Sequence, residues 1–256
     1  MAIQVFKGEY HRKFMLQLIS SQLDMDRMDY LKRDSFYSGV SEGNVNSERI
    51  IQMMNVVDDV LVIEEKGIYS VEKFLMSRRL MYWQVYLHKT SLVAESILTK
   101  ILKRAKELTL KGEELTASSP LSFFMHNKVT METFDADTLN LFSKLDDFDI
   151  ISALKSWQDH PDFILSSLSK MIINRDLLKI KLSSEKVTSE ELLPLKERFV
   201  LENGITLAEA NYFIFRGKIK NQAYSKEAEP IRILKKDKTI EDIVDASDQL
   251  NFKSVS

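Results

Sequence analysis

The sequence predicts a mainly α-helical protein with a smaller α+β region towards its C-terminal end. Three observations carry that expectation. Turn-forming residues are scarce, with 7 Gly and 4 Pro in 256 residues, whereas average usage is roughly 12% for the two together. A turn-dense all-β chain needs more of them, because tight turns require residues that tolerate positive φ or preset it. No Gly or Pro falls between Gly67 and Gly112, and stretches that long without punctuation are most easily helical. Strand-like patterns are confined to short segments near 56–65, 178–182 and 212–235.

Phe14–Ile19 and Asp24–Phe36 read as helices joined near Ser20 and Ser21, and Gly39 to Gly43 as a loop. Ser47 is placed to cap a short helix over Glu48–Asn55. Val56, Val57, Val60, Val62 and Ile63 make the next segment a strand or hairpin, ended by Lys66 and Gly67. A long helix is expected from Ser70 to Leu108. Ser70 would cap it, Glu72 suits its positive end, and Lys103, Arg104 and Lys106 suit its negative end before Gly112 stops it. Its first half (Phe74, Leu75, Leu80, Met81, Trp83, Val85) is apolar on more than one face and should be buried on several sides. Its second half carries a single stripe of Ile97, Leu98, Ile101, Leu102, Ala105 and Leu108.

The polar run Thr116–Pro120 suggests a division into domains 1–115 and 116–256. Beyond it, Asp137–Leu145, Phe148–Trp157, Asp162–Ile173 and Ser189–Glu202 have helical patterns, the third with Pro161 at its start and the last with Gly204 as its stop. Leu178–Leu182, Tyr212–Tyr224 and Ile231–Lys235 read as strands, and Thr239–Ser247 as a final helix.

Composition excludes several functions. There is no Cys, so disulfides, thiolate metal sites and cysteine nucleophiles are absent. No glycine pair has the spacing of a Walker loop or a dinucleotide fingerprint. A net charge of −2 gives no electrostatic case for nucleic acid or an anionic membrane as partner. No apolar run approaches the ~18 residues of a membrane span, and Lys7 follows Met1–Phe6 too soon for a signal peptide. A cytoplasmic location is the expectation.

The segment most able to carry chemistry runs from Ser20 to Ser35. On a helix with Asp26 at zero, Tyr30 falls at about 40°, Asp34 at about 80° and Arg27 at about 100°. One arc thus carries a carboxylate fit for a hard or borderline divalent metal and a guanidinium whose fork matches phosphate oxygens. It adds a phenol and a second carboxylate able to accept from a sugar hydroxyl. Alternating acids and bases on a helix also describe an ordinary solvated face with local ion pairs. A second face on the long helix groups Arg78, Tyr82, Tyr86 and Lys89, which also suits core phenols with wet tips and cations that snorkel.

The stretch SSQLDMDRMDYLKRDSFYSGV resembles the LDxDRxDYLxRD segment of HD-superfamily phosphohydrolases, in the branch of deoxynucleoside triphosphate triphosphohydrolases (dGTPase-like). Downstream, KGIYSVEKFLMSRRLMYWQVYLHK is similar to that branch's E-x-F-x-x-x-R…MY…VYxHK helix. Asn211-Tyr212-Phe213 and Ala223 to Glu227 also look like bacterial members. The resemblance implies an HD-like helical bundle and hydrolysis of a deoxynucleoside triphosphate to deoxynucleoside plus triphosphate, with a divalent metal such as Mg²⁺ or Mn²⁺. It also implies a nucleotide substrate and assembly into a homo-oligomer. By resemblance Asp26 is a metal ligand, Arg27, Tyr30 and Arg78 contact the triphosphate, and Asp34 and Tyr86 surround the deoxyribose; Asp24 matches a neighbouring acid without an assigned role.

The family's first His and its His-Asp doublet belong well upstream of this segment, which here starts at Ser20. His11, His88, His126 and His160 are none of them followed by Asp. His11 reads as surface, His126 and His160 as structural, and His88 matches a family position that is not a ligand. The expectation is an incomplete HD bundle, a C-terminal portion with an incomplete metal site and no catalytic residue of its own. Met81, Trp83 and Val85 would then be left uncovered. The alternative is a catalytically inactive helical interaction or regulatory module of the same fold.

Overall fold

In the computed structural model, residues 1–219, 224 and 229–248 are described. The chain forms two compact units, Met1–His88 with Ile219–Ser256, and Lys89–Lys218.

The first unit begins with α1 (Ala2–Phe6), α2 (Phe14–Ile19) and α3 (Met25–Ser38). Asp24 caps α3 by accepting from the Arg27 N–H at 2.8 Å, and Gly39 ends it in the left-handed region at φ 71°. Met28, Leu31 and Ser35 are its buried stripe. α4 (Ser47–Gln52) follows, capped by Asn46 rather than by Ser47. The strand-or-hairpin expectation resolves as a hairpin of β1 (Met54–Val57) and β2 (Val60–Glu64) in antiparallel register Val57↔Val60 to Met54↔Ile63. Its two-residue turn needs positive φ at both positions to match the strand twist, and Asp58 and Asp59 supply it at 49° and 62°. Asp59 is held there by the Arg12 Nε at 2.8 Å and the Lys13 N–H at 2.7 Å.

α5 (Ile68–Met81) is buried on several sides, as its pattern predicts, with Val71, Phe74, Leu75 and Met81 fully inaccessible. The expected continuous helix Ser70–Leu108 is corrected here. At Tyr82–Tyr86 the helix widens into a π-turn, and the Leu87 N–H reaches back five residues to the Tyr82 carbonyl at 2.7 Å. α6 (Lys89–Thr109) then starts in the other unit. A π-turn re-aims side chains by tertiary packing, which helix periodicity does not encode. The expected exposure of Met81, Trp83 and Val85 holds for Trp83, which is 52% exposed, whereas Met81 is inaccessible and Val85 packs on the core. Met81 closes over Gly43, where an added Cβ would meet its sulfur at 2.6 Å and the Ser35 Cβ at 2.8 Å. The Ser35 Cβ sits on a helix and cannot swing away, so Gly43→Ala is expected to cost about 1–3 kcal/mol. Chemical denaturation of the two proteins side by side checks this, and an unchanged midpoint would refute the packing argument.

The second unit continues with α7 (Ser119–His126), α8 (Ala136–Phe142), α9 (Asp147–Trp157), α10 (Phe163–Ile173), α11 (Ser189–Asn203) and α12 (Leu207–Ala210). The four helices expected beyond 116 are α8, α9, α10 and α11; α7 lies where a polar connection was expected. Each start from α7 to α12 has a side-chain cap, and Thr188, Thr206 and Asp146 make reciprocal capping boxes. The core joins Val93, Ile97, Ile101, Ala105 and Leu108 of α6 to Leu154, Trp157, Ile164, Leu165 and Leu168. The Trp157 indole N–H donates to the Thr116 carbonyl at 2.9 Å. Leu178–Leu182 is not a strand: Leu177 and Leu178 pack on this core, but no strand pairs with the segment among the described residues. Tyr212 and Phe213 likewise lie in a turn buried in the core, not in a strand, and residues 220–223 lie outside those described.

β3 (Arg232–Leu234), β4 (Ile240–Asp242) and α13 (Ile243–Ala246) return to the first unit, so the final helix expected at Thr239–Ser247 begins as a strand. β3 lies parallel to β2, pairing Ile63 with Ile233, and β4 is antiparallel to β3, giving the order β1-β2-β3-β4. The structure is thus mainly helical with a small sheet, and strands from both ends of the chain build that sheet. The expected division at 115/116 differs from the observed ones at 88/89 and 218/219. Local composition marks connections, while compaction follows long-range pairing such as β2 with β3. Among the described residues no helix is long and apolar enough to cross a membrane.

Candidate functional site

The residues singled out by the sequence meet in the first unit, around α3 and the end of α5. Asp24, without an assigned role in the sequence, is the anchor. Its carboxylate accepts from the Arg27 and Ser21 backbone N–H groups at 2.8 and 3.1 Å and from Arg27 Nε at 3.2 Å. Arg27 Nε also donates to the Ser21 carbonyl at 2.7 Å. One edge of the guanidinium is thereby fixed on backbone, while its remaining donors face the Tyr30 phenol. The sequence pattern places Asp24 inside the helix; that it caps α3 and grips the Arg27 side chain is decided by the structure.

Arg78 on α5, only 7% exposed, also acts on the Tyr30 phenol, and its guanidinium carbon lies 5.8 Å from the Tyr82 ring centre. Burial raises the Tyr30 pKa against the opposing pull of Arg78 and Arg27. The Tyr86 ring stands edge-on to Tyr30 at 6.1 Å and to Tyr82 at 5.1 Å. Tyr86 donates its hydroxyl to Asp34 at 2.7 Å. Burial and then that bond push the Tyr86 phenol far up, so it stays a protonated donor at any physiological pH. Arg27, Tyr30, Asp34, Arg78 and Tyr86 therefore form one connected cluster. Tyr82 completes it, and its position on the Arg78 face was the signal for it. Lys89 leaves this face, because the helix ends before it.

Asp26 is exposed on the first turn of α3. Among the described residues no group of three His, Asp or Glu side chains could hold a metal. Asp26 is therefore not joined there by the roughly three protein ligands that a catalytic divalent ion takes. His11 is exposed and stacks on Tyr10, while His126 and His160 have hydrogen bonds to Ser122 and to the Asp162 N–H.

Two guanidiniums near one phenol, beside a carboxylate–phenol pair, form a polar wall suited to an anionic, hydroxyl-bearing ligand. Residues 45–125 match the family described as HD associated region, and the mainly helical fold with its small sheet agrees with that likeness. The particular likenesses follow. The whole chain superposes on 64% of a solved phosphohydrolase of Bacteroides thetaiotaomicron with a TM-score of 0.93 and 52% identity. It is 43% identical to YwfO of Bacillus subtilis over 178 residues, which is 69% of this chain and 39% of that protein. A more distant relative is the deoxynucleoside triphosphate triphosphohydrolase SAMHD1 homolog of Dictyostelium discoideum, 26% identical over 107 residues, 41% of this chain and 21% of that one. The chain thus spans well under half the length of these two relatives.

Proposed function

We propose that this chain supplies the substrate-holding wall of a metal-dependent phosphohydrolase that converts a deoxynucleoside triphosphate and water to deoxynucleoside and triphosphate. The observation that carries this reading is the convergence of Arg27 and Arg78 on Tyr30 beside the Asp34–Tyr86 pair. The two guanidiniums neutralise a polyphosphate and fix it by charge-assisted hydrogen bonds. Tyr86 spends its one proton on Asp34, so the Asp34 carboxylate and the Tyr86 oxygen are both acceptors for sugar hydroxyls. The name of the Dictyostelium relative supports the substrate class. Asp26 is this chain's contribution to a divalent metal, and the described residues do not complete that site, so no chemical step is assigned to it. A homo-oligomer remains part of this reading.

The test is hydrogen exchange of this chain with dGTP, together with an assay for released triphosphate in Mg²⁺ or Mn²⁺. Protection of the α3 peptide without release above the uncatalysed rate is expected. Release that disappears in Asp26→Asn would mean that the chain does assemble a metal site. No protection would favour the second reading, an interaction or regulatory module of the same fold. Tyr86→Phe is expected to weaken dGTP about fivefold, the equivalent of one neutral hydrogen bond. It should leave inorganic triphosphate binding unchanged in calorimetry, and an equal loss for both ligands would remove Tyr86 from the sugar.

A further inference from the structure

The second unit contains a cavity of about 300 Å³ between α6 and the segment around α12. Its charges are sorted in an unusual way. The lining acids are engaged: Glu107 accepts from the Tyr212 hydroxyl at 2.5 Å, and Glu209 closes the Thr206 capping box at 2.8 Å, while the lining Arg104 is held by Asp162, outside the cavity, at 2.5 and 3.1 Å. The lysines are not so engaged. Lys100 Nζ donates to the Asn211 carbonyl at 2.7 Å, and Lys196 Nζ donates to Asn211 Oδ1 at 2.6 Å. Two ammonium groups from different helices therefore converge on one neutral residue, and Lys103 adds a third charge one turn along α6. Among the described residues, the ion pairs within 4.0 Å include none made by Lys100, Lys103 or Lys196.

Lys100 is also pressed against aromatic faces, 4.0 Å from the Phe215 ring centre and 5.5 Å from that of Tyr212. Burial first, then the charges of Lys103 and Lys196, hold its pKa below the ordinary lysine value. Glu107 and Glu209 share the lining but are committed to Tyr212, Arg104 and the Thr206 cap, so the ammonium groups repel one another without an ion-pair partner, and a multivalent anion seated among them turns that repulsion into attraction.

We propose that this cavity is an oxyanion site for a phosphate or diphosphate group, free or carried on a small metabolite, with Lys100 and Lys103 on its wall and Lys196 brought to its edge by Asn211. Asn211 orients two of these lysines, and its side-chain NH₂ is a further donor to the ligand. The site lies wholly within Lys89–Lys218 and shares no residue with the Arg27–Arg78 cluster.

Local amine chemistry tests it. The full chain is labelled with isotope-coded acetic anhydride at neutral pH, in diphosphate, in phosphate, or in potassium chloride of equal ionic strength, and each lysine is read by mass spectrometry. Diphosphate is expected to slow labelling of Lys100 and Lys196 about tenfold, the signature of a mostly occupied site. Exposed Lys7 and Lys128 serve as references and should be unaffected. Phosphate alone protecting as well as diphosphate identifies a single-phosphate seat. Lys196→Gln should abolish protection at Lys100, whereas the Arg27→Ala/Arg78→Ala variant should retain it. Equal Lys100 labelling in diphosphate and chloride overturns the proposal, as does protection that disappears in the double arginine variant.

Discussion

Replacing Arg104 by alanine is expected to destabilise the Lys89–Lys218 unit by about 3 kcal/mol, the low end for breaking a buried ion pair by removing one partner. Arg104 and Asp162 have side chains only 12% and 14% exposed, and they meet through two guanidinium nitrogens. Burial alone would raise the Asp162 carboxyl, yet the Arg104 bonds and the Leu165 N–H hold it below its usual range. The Arg104 guanidinium is correspondingly held above its own. Alanine at 104 strands a carboxylate in a poorly solvated place. Asp162 also caps α10 through the Leu165 N–H at 2.8 Å, so charge and cap must be separated. Asp162→Asn keeps a capping oxygen, and Arg104→Met/Asp162→Asn should recover much of the loss, because the carboxylates that then lack Arg104, those of Glu107 and Glu209, are far more exposed than Asp162. Urea unfolding followed by Trp157, buried in this unit, is the measurement. Because the folded carboxyl is depressed, its stabilisation is complete above the unfolded pKa and is lost as pH falls through the folded value. The gap between native protein and the double variant should therefore narrow in acid. A single variant as stable as the native chain would show the pair to be solvated.

Arg78→Ala is expected to weaken dGTP binding by about 10- to 100-fold, the range for losing charge-assisted hydrogen bonds to a phosphate. Arg78 is held on α5 at 7% exposure, beside Tyr30 and near the Tyr82 ring, so little ordering remains to be lost on binding. Arg78→Lys keeps the charge but not the fork, and should recover only part of the affinity. Arg27 is more exposed and anchored through Nε; its alanine variant should lose less. Calorimetry in a Lys100→Gln/Lys196→Gln background excludes the cations of the second unit. Circular dichroism checks that α5 persists. Unchanged affinity in a folded Arg78→Ala protein would remove the polyphosphate from this wall.

Local structure was largely legible. The helix near 24–36, the Val-rich run of the hairpin, the single stripe of α6 and the periodic helices α8 to α11 all follow from spacing, which acts over a few residues. The site was legible for the same reason: Tyr30, Asp34 and Arg27 share an arc of one helix, and Arg78 and Tyr86 share another. That the two arcs meet, through the Tyr86–Asp34 bond and the Tyr30–Tyr86 contact, is a tertiary fact. Asp26 shares the α3 arc but lies exposed at its edge, since a helix face wider than its contact leaves some members in solvent.

By itself the sequence determined the helical character, the strand-or-hairpin segment and the polar arcs, because these depend on backbone preference and on periodicity along one element; the caps expected at Ser47 and Ser70 fall one and three residues earlier, at Asn46 and Gly67. Only the tertiary structure decided where the long helix breaks, that Asp24 grips the Arg27 guanidinium, and that β3 joins β2 from the far end of the chain. It also decided that Leu178–Leu182 finds no strand partner among the described residues and that Lys100 and Lys196 converge on Asn211. Each of these depends on groups distant in sequence and close in space. Their energies come from burial, pairing and charge proximity, which no local pattern specifies.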